Sequence, residues 1–132
     1  MSLRVIVLAE DDRAARAGYA ELLASKGYDV VEAATGVELL NRVRERLPDA
    51  VVTDIALPEL DGFGAAAALK ADPRTRNIPI IGITGHWSTE VGERGTTAGL
   101  AVLLMKPCCP DHLTAELERV LSSSTHSHQP IT

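Results

Sequence analysis

Carboxylate, hydroxyl and ammonium side chains end or follow the short apolar runs of this 132-residue sequence. The residues in question are Glu10, Asp11, Asp54, Thr84 and Lys106. Carboxylates brought close together repel one another, and a hard divalent cation such as Mg²⁺, which prefers oxygen ligands, relieves that repulsion. Lys106 would add a compact positive charge, and Thr84 would add a hydroxyl donor. A carboxylate nucleophile, a divalent metal, an ammonium group and a hydroxyl group are together what accepting and holding a phosphoryl group requires.

Alternating apolar and helical patterns predict the elements that position these side chains. The expected strands are residues 3–9, 28–33, 50–54, 79–83 and 101–105. A helical pattern follows each strand, and Thr35 with Glu38 forms the signature of a capping box at one helix start. Strict alternation of strands and helices predicts a parallel sheet with right-handed crossovers and helices on both faces. The carboxyl ends of parallel strands lie at one edge, so Asp54 and the other polar residues should converge there.

The segment from Trp87 to Gly99 has the weakest helical pattern of those between the strands. Gly92, Gly95 and three threonines lower its helix propensity, so we predict a marginal or mobile helix. Its charged residues are expected to form a solvated face: Glu90, Glu93 and Arg94.

Composition and charge limit the functions open to this chain. Hydrophobic residues make up 45% of the sequence and charged residues 23%, which is typical of one soluble globular domain. We expect that domain to span residues 1–121 and the polar residues 122–132 to form a disordered tail. The net charge of −5 argues against direct binding of nucleic acid.

The sequence carries no recognisable signal for a membrane or for export. No apolar run approaches the length of a bilayer span, and the N-terminus lacks the long apolar region of a signal peptide. The cysteines, Cys108 and Cys109, are neighbours and cannot link distant segments, which fits a reducing compartment. We therefore expect a cytoplasmic location.

The order of these motifs resembles that of two-component response-regulator receiver domains of the single-domain, chemotaxis-regulator type. The similarity covers residues 3–121. The matching stretches are residues 8–12, 54–58 with 61–62, 83–85 and 105–107. Each stretch is weakly specific alone, whereas all of them in this order at successive strand ends are strongly specific. The resemblance implies the α/β flavodoxin-like (βα)5 fold, with a five-stranded parallel sheet of order 2-1-3-4-5 and helices on both faces.

The same resemblance implies roles for the acidic residues. Asp54 would be the phosphorylated residue, accepting a phosphoryl group from a sensor histidine kinase or a histidine phosphotransfer protein. Asp11 would bind Mg²⁺ directly, together with the Asp54 carboxylate and the backbone carbonyl of Ala56. Glu10 would hold a water molecule bound to the metal.

Thr84, Gly85 and Lys106 would surround the phosphoryl group in the arrangement that the resemblance implies. Thr84 would donate a hydrogen bond to it, and Lys106 would pair with its charge. The missing side chain of Gly85 would leave room for it. The Lys106–Pro107 peptide bond would be cis.

The sequence departs from the receiver pattern at the switch. Receivers usually carry Tyr or Phe three residues before the active-site lysine, and this sequence has Leu103 there. A leucine offers neither a hydroxyl nor a flat ring, so the coupled movement of Thr84 and an aromatic residue is not predicted to operate in its usual form. We hypothesise instead that signalling reshapes the surface around residues 87–99.

Two further positions bear on the lifetime of a bound phosphoryl group. In the family, the residues at the positions of Ala56 and His86 flank the path of the hydrolytic water. Ala56 has no polar group to position that water, which predicts slow to moderate self-dephosphorylation.

Two alternative functions remain open. The first is a pseudo-receiver, a protein-interaction module not controlled by phosphorylation, which Leu103 favours and the intact acidic pair disfavours. The second is a phosphatase or phosphotransferase with an aspartyl-phosphate intermediate, for which the haloacid-dehalogenase pattern needs an Asp where this chain has Ala56. We favour a signalling domain, not an enzyme acting on other substrates, that catalyses only its own phosphorylation and dephosphorylation. Its output would be the binding of a downstream protein partner.

Overall fold

Five parallel strands form one sheet at the centre of the fold. The computed structural model describes the backbone of residues 3–126 and the side chains of residues 3–122. The strands are β1 (Val5–Ala9), β2 (Asp29–Ala33), β3 (Ala50–Asp54), β4 (Ile80–Thr84) and β5 (Val102–Met105). They lie in the order β2-β1-β3-β4-β5 and each neighbouring pair is parallel, which confirms the predicted topology.

Helices cover both faces of the sheet, as predicted. They are α1 (Arg13–Ser25), α2 (Gly36–Arg46), α3 (Gly62–Ala71), α4 (Thr89–Ala98) and α5 (Pro110–His126). One apolar core lies between the sheet and α2, α3 and α4, and a second lies between the sheet and α1 and α5. The central strand β3 is buried at every position, as expected for a strand that is covered on both faces. None of the helices described between residues 3 and 126 is both long enough and apolar enough to cross a bilayer.

The last helix continues past the predicted domain boundary. α5 runs to His126, whereas the sequence predicts a polar tail from residue 122. Residues 127–132 lie outside the described part of the chain. The disordered tail and the boundary at residue 121 therefore stay predictions.

Side-chain caps fix the helix starts close to the strand ends. The amide of Glu38 donates to the Thr35 hydroxyl over 3.0 Å, as the predicted capping box requires. The Glu38 carboxylate in turn accepts from the amide of Ala34, one residue before the cap, over 2.9 Å. Asp12 caps α1 in the same way, because its carboxylate accepts from the amide of Ala15 over 2.8 Å. The polar residues that follow the strands therefore begin the next helices.

Helix α4 forms although its sequence is a poor helix former. Ser88 caps its start by accepting from the amide of Val91, and Gly99 ends it with a left-handed φ of 90°. Gly95 is buried, and a Cβ there would lie only 3.3 Å from a methyl group of Leu100. The glycine therefore allows α4 to lie close to the sheet, and this packing with the two caps offsets the low propensity.

Candidate functional site

The acidic residues meet at the carboxyl-terminal edge of the sheet. Glu10 and Asp11 follow β1, Asp54 ends β3, and one carboxylate oxygen from each lies within 4.8 Å of the others. Glu10 is 2% exposed and Asp54 is 6% exposed, whereas Asp11 is open to solvent. A cluster of carboxylate oxygens with one open side suits Mg²⁺, which takes oxygen ligands and keeps several waters.

Lys106, which follows β5, neutralises two of these acids. Its Nζ lies 2.5 Å from Oδ2 of Asp54 and 3.0 Å from Oε1 of Glu10. Partial burial lowers the pKa of Lys106, but the hydrogen bonds to Asp54 and Glu10 outweigh it and the pKa lies above its ordinary value of 10.5. The Lys106–Pro107 peptide bond is cis, as the resemblance implies.

Burial and repulsion act on Glu10 together. Desolvation raises the pKa of Glu10, while hydrogen bonds from the amide of Asp12 and from Lys106 lower it; the nearby charge of Asp54 raises it again. The net direction is upward from the ordinary value of 4.5. Three carboxylates lie together here, and Lys106 pairs with only two of them, Glu10 and Asp54, so the geometry leaves room for a divalent cation to relieve their repulsion.

The loop after β3 holds the carboxylate of Asp54 in place. Oδ1 of Asp54 accepts from the amide of Ala56 over 2.8 Å, so both carboxylate oxygens have donors. The loop then returns to the strand, because the amide of Gly62 donates to the carbonyl of Ile55. A Cβ at Gly62 would lie 2.6 Å from Cα of Ile55, so only glycine permits this approach.

Thr84 lies at the end of β4, but its hydroxyl is used locally. The hydroxyl donates to the carbonyl of His86 over 3.0 Å and accepts from the amide of His86 over 3.1 Å. The amide of Lys106 donates to the carbonyl of Thr84, which joins the ends of β4 and β5. A Cβ at Gly85 would have no described atom within 4 Å, which agrees with the open space that the resemblance implies.

Leu103 lies beneath α4, away from the acidic edge. Its register partner in β4 is Gly82, whereas Thr84 is level with Met105. A Cβ on Gly82 would be 3.1 Å from one methyl group of Leu103, and a Cβ on Gly95 would be 3.5 Å from the other. Leu103 thus fills an inward space that the two glycines leave.

One group beside the site was not identified from the sequence. Cζ of Arg94 lies 4.4 Å from the centre of the Phe63 ring, and its Nη2 lies 3.7 Å from Oδ2 of Asp61. These residues line a cleft that also contains Thr84 and His86. The sequence pattern predicts only a solvated face for Arg94. Its contacts come from the packing of α3 beside α4, which local spacing does not reveal.

Comparison with known proteins agrees with this geometry. Residues 6–118 match the response regulator receiver domain family. Among relatives, the gliding motility regulatory protein of Myxococcus xanthus is 36% identical over 76% of this chain and 13% of its own length. Response regulator MprA of Mycobacterium sp. (strain KMS) is 32% identical over 98% of this chain and 55% of its own length. The chain therefore spans about half or less of these curated relatives.

Solved receiver domains share the fold closely. A CheY-like receiver domain protein from Methanospirillum hungatei JF-1 has a TM-score of 0.90 and 26% identity, covering 96% of this chain and 99% of that chain. The receiver domain of sensor histidine kinase PA1611 from Pseudomonas aeruginosa PAO1 has a TM-score of 0.85 and 29% identity, covering 92% and 99%. That structure holds a magnesium ion coordinated in its active site cleft.

The fold, the acidic edge and these comparisons lead to one assignment. The flavodoxin-like topology and the acidic pocket are those of domains that bind Mg²⁺ and that interact with histidine kinases or phosphotransfer proteins and with downstream targets. The chain belongs to the response regulator receiver domain family of two-component signal transduction.

Proposed function

We propose that this domain accepts a phosphoryl group on Asp54 from a phosphohistidine of a sensor histidine kinase or a histidine phosphotransfer protein. The observation that carries the proposal is the position of the Asp54 carboxylate, which lies at a strand end between Lys106 and the acids that follow β1. A carboxylate that is held by two donors and has a divalent-cation site beside it is suited to act as a nucleophile.

The transfer requires one bond to form and one to break. A carboxylate oxygen of Asp54 would bond to phosphorus while the bond from phosphorus to the histidine nitrogen breaks, and the imidazole would leave with that electron pair. Lys106 would then pair with a phosphoryl oxygen. Thr84 would turn its hydroxyl from the carbonyl of His86 toward the phosphoryl group.

Mg²⁺ fits the oxygen donors of this site. Glu10, Asp11 and Asp54, with the carbonyl of Ala56, would hold it, Glu10 acting through water. Bound there, the ion would neutralise charge on the acids and on the phosphoryl oxygens.

Phosphorylation would alter the surface that a downstream protein reads. Thr84 is tied to His86 in the loop that leads into α4, so a rotation of its hydroxyl would free that loop. The negative net charge supports a protein partner over direct contact with nucleic acid. A cytoplasmic location is part of the proposal, and the free thiols of Cys108 and Cys109 are compatible with it.

Phosphotransfer from candidate histidine kinases tests this function. Radiolabel from the kinase should appear on the wild-type domain in the presence of Mg²⁺ and should be absent from Asp54→Asn. Asp111→Asn, which changes an exposed carboxylate in the first turn of α5, is the matched control and should be labelled like wild type. Equal labelling of Asp54→Asn would reject the acceptor. A wild-type domain that takes label from no kinase and from no small phosphodonor would instead be a pseudo-receiver.

A further inference from the structure

A shallow groove between α3 and α4 lies beside the acidic edge. Its floor and walls are formed by Phe63, Gly64 and Ala67 of α3 and by Thr97 and Ala98 of α4. Gly64, Ala67 and Ala98 have small side chains, so the backbone of another helix could approach them at the short end of the usual 8–10 Å range. α3 has 10 residues and α4 has 10, which gives each a length of about 15 Å.

The open charges beside this groove are negative. Glu90 and Glu93 are exposed, line the groove and have no ion-pair or hydrogen-bond partner within the described chain. The neighbouring cations are already engaged. Arg94 lies over the Phe63 ring and near Asp61, and Nζ of Lys70 donates to the carbonyls of residues 76 and 78 over 2.9 Å each.

We propose that this groove is the docking site for an amphipathic helix of a downstream protein partner, with Lys or Arg beside its apolar face. The apolar face would pack on Gly64, Ala67 and Ala98, and the basic residues would face Glu90 and Glu93. The inference deepens the proposed function, and rests on it in taking the partner as the downstream one.

A second copy of this chain does not fit the groove in the same way. A symmetric dimer through the groove would bring the same two glutamates of each copy toward one another. Each copy also carries a net charge of −5. A basic helix from a different protein meets neither repulsion.

The groove is joined to the phosphorylation site through shared residues. Phe63 and Arg94 line both the groove and the cleft that contains Thr84. Asp61, which pairs with Arg94, also caps α3 by accepting from the amide of Gly64 over 2.8 Å. A change in the loop after Asp54 would therefore reach the end of the groove.

Selection from a displayed peptide library tests the groove directly. The library consists of helical peptides with a fixed Leu and Ala face and flanking positions that vary among Lys, Gln and Glu. Clones selected on the folded domain should be enriched in Lys. Their affinity should fall about tenfold or more for Glu90→Lys combined with Glu93→Lys. Glu21→Lys combined with Glu118→Lys changes two exposed glutamates elsewhere by the same charge and should leave the affinity unchanged.

A bulky substitution tests whether binding needs the open shape of the groove, independently of its charge. Ala67→Trp fills the groove from an exposed position and should abolish binding without affecting folding, which circular dichroism checks. The proposal is overturned if no clone binds, if the selected clones lack basic residues, or if the groove variants bind like wild type. NMR shifts of backbone amides on peptide binding that centre on Met105 or Trp87 would also overturn it. So would self-association of the domain that is removed by Glu90→Lys combined with Glu93→Lys.

The selection is repeated on Asp54→Asn to keep the two proposals apart. Retained groove binding by that variant, together with failed phosphotransfer to wild type, would reject the proposed function alone. Normal phosphotransfer with no groove binding would reject the docking site alone.

Discussion

At the residue scale, the charge balance of the site depends on Lys106. Its ammonium group contacts both Asp54 and Glu10, which are almost completely buried. Removing one partner of a buried ion pair leaves an uncompensated charge, which is costly. The side chain of Lys106 is 31% exposed, so water recovers part of that cost.

We predict that Lys106→Met lowers the free energy of unfolding by about 2 kcal/mol at pH 7 without divalent cations. The raised pKa of Lys106 means that its stabilising contribution is present below pH 10.5 and is lost as the pH rises further. Urea unfolding at a series of pH values measures both effects. Lys26→Met, at the exposed end of α1, is the control and should change stability little. A Lys106→Met protein as stable as wild type at pH 7 would contradict the proposed charge balance.

The acids and Lys106 could be predicted because their positions follow from local patterns. Each one lies at the end of an apolar strand or within two residues after it, and parallel strands bring their ends to one edge. The engagement of Thr84 with His86 and the position of Arg94 over Phe63 could not be predicted. The first depends on loop conformation and the second on how two helices pack, and neither leaves a regular spacing in the sequence.

At the scale of elements, the start of α2 is packed against the loop that follows Asp54. The amide of Gly36 donates to the carbonyl of Pro58 over 3.3 Å. A Cβ on Gly36 would lie 1.7 Å from the carbonyl oxygen of Leu60, which is backbone and cannot move without moving the loop. The conformation of this loop therefore depends on α2.

We predict that Gly36→Ala destabilises the domain by about 3 kcal/mol, because the added methyl group overlaps the loop backbone. Gly18→Ala in α1 is the matched control, since a Cβ there would meet no described atom within 4 Å. That control should gain about 0.5–1 kcal/mol from helix propensity. Urea unfolding gives both values. Equal effects of the two substitutions would show that the loop does not rest on α2.

Helix α4 is the element that we expect to respond to phosphorylation. Its amides should exchange at different rates with and without Mg²⁺ and beryllofluoride, a phosphoryl mimic. Gly92→Ala should add up to about 1 kcal/mol of helix propensity, because the added methyl group meets only the outer edge of the half-exposed Trp87 ring, which has to move aside. The difference in exchange should therefore shrink in Gly92→Ala and persist in Gly18→Ala. Identical protection of wild type in both states would remove the hypothesis.

At the scale of the whole molecule, the strands that position the candidate site also form the apolar cores. The candidate metal ligands lie at the ends of β1 and β3, and those strands are buried in both apolar cores. Binding at the edge therefore acts on the global folding equilibrium and not on a loop alone.

We predict that Mg²⁺ stabilises the folded domain by about 1.4 kcal/mol at a concentration of ten times its Kd. Asp11→Ala should lose this gain, and it should be slightly more stable than wild type without metal because one repelling carboxylate is gone. Thermal unfolding at constant ionic strength measures both. Asp111→Ala should keep the full response. A Mg²⁺ response retained by Asp11→Ala would place the ion elsewhere.

The topology of the sheet could be predicted from the sequence better than the grooves on the surface of the domain. Strict alternation of strands and helices leaves few topologies, and the family resemblance selected one of them. The groove between α3 and α4 was not predicted, because it depends on which small residues of two helices face the same side. Its acidic rim was recognised only as solvated charge.

The placement of Trp87 has a practical consequence. It is the single tryptophan of the sequence, and its half-exposed ring lies over Gly92 in α4. Indole emission responds to the polarity around the ring. Because there is one tryptophan, the tryptophan fluorescence of this sequence reports on the surroundings of Trp87 alone. The fold thus carries a built-in optical probe, with which rearrangement of α4 can be timed by stopped flow in unlabelled protein.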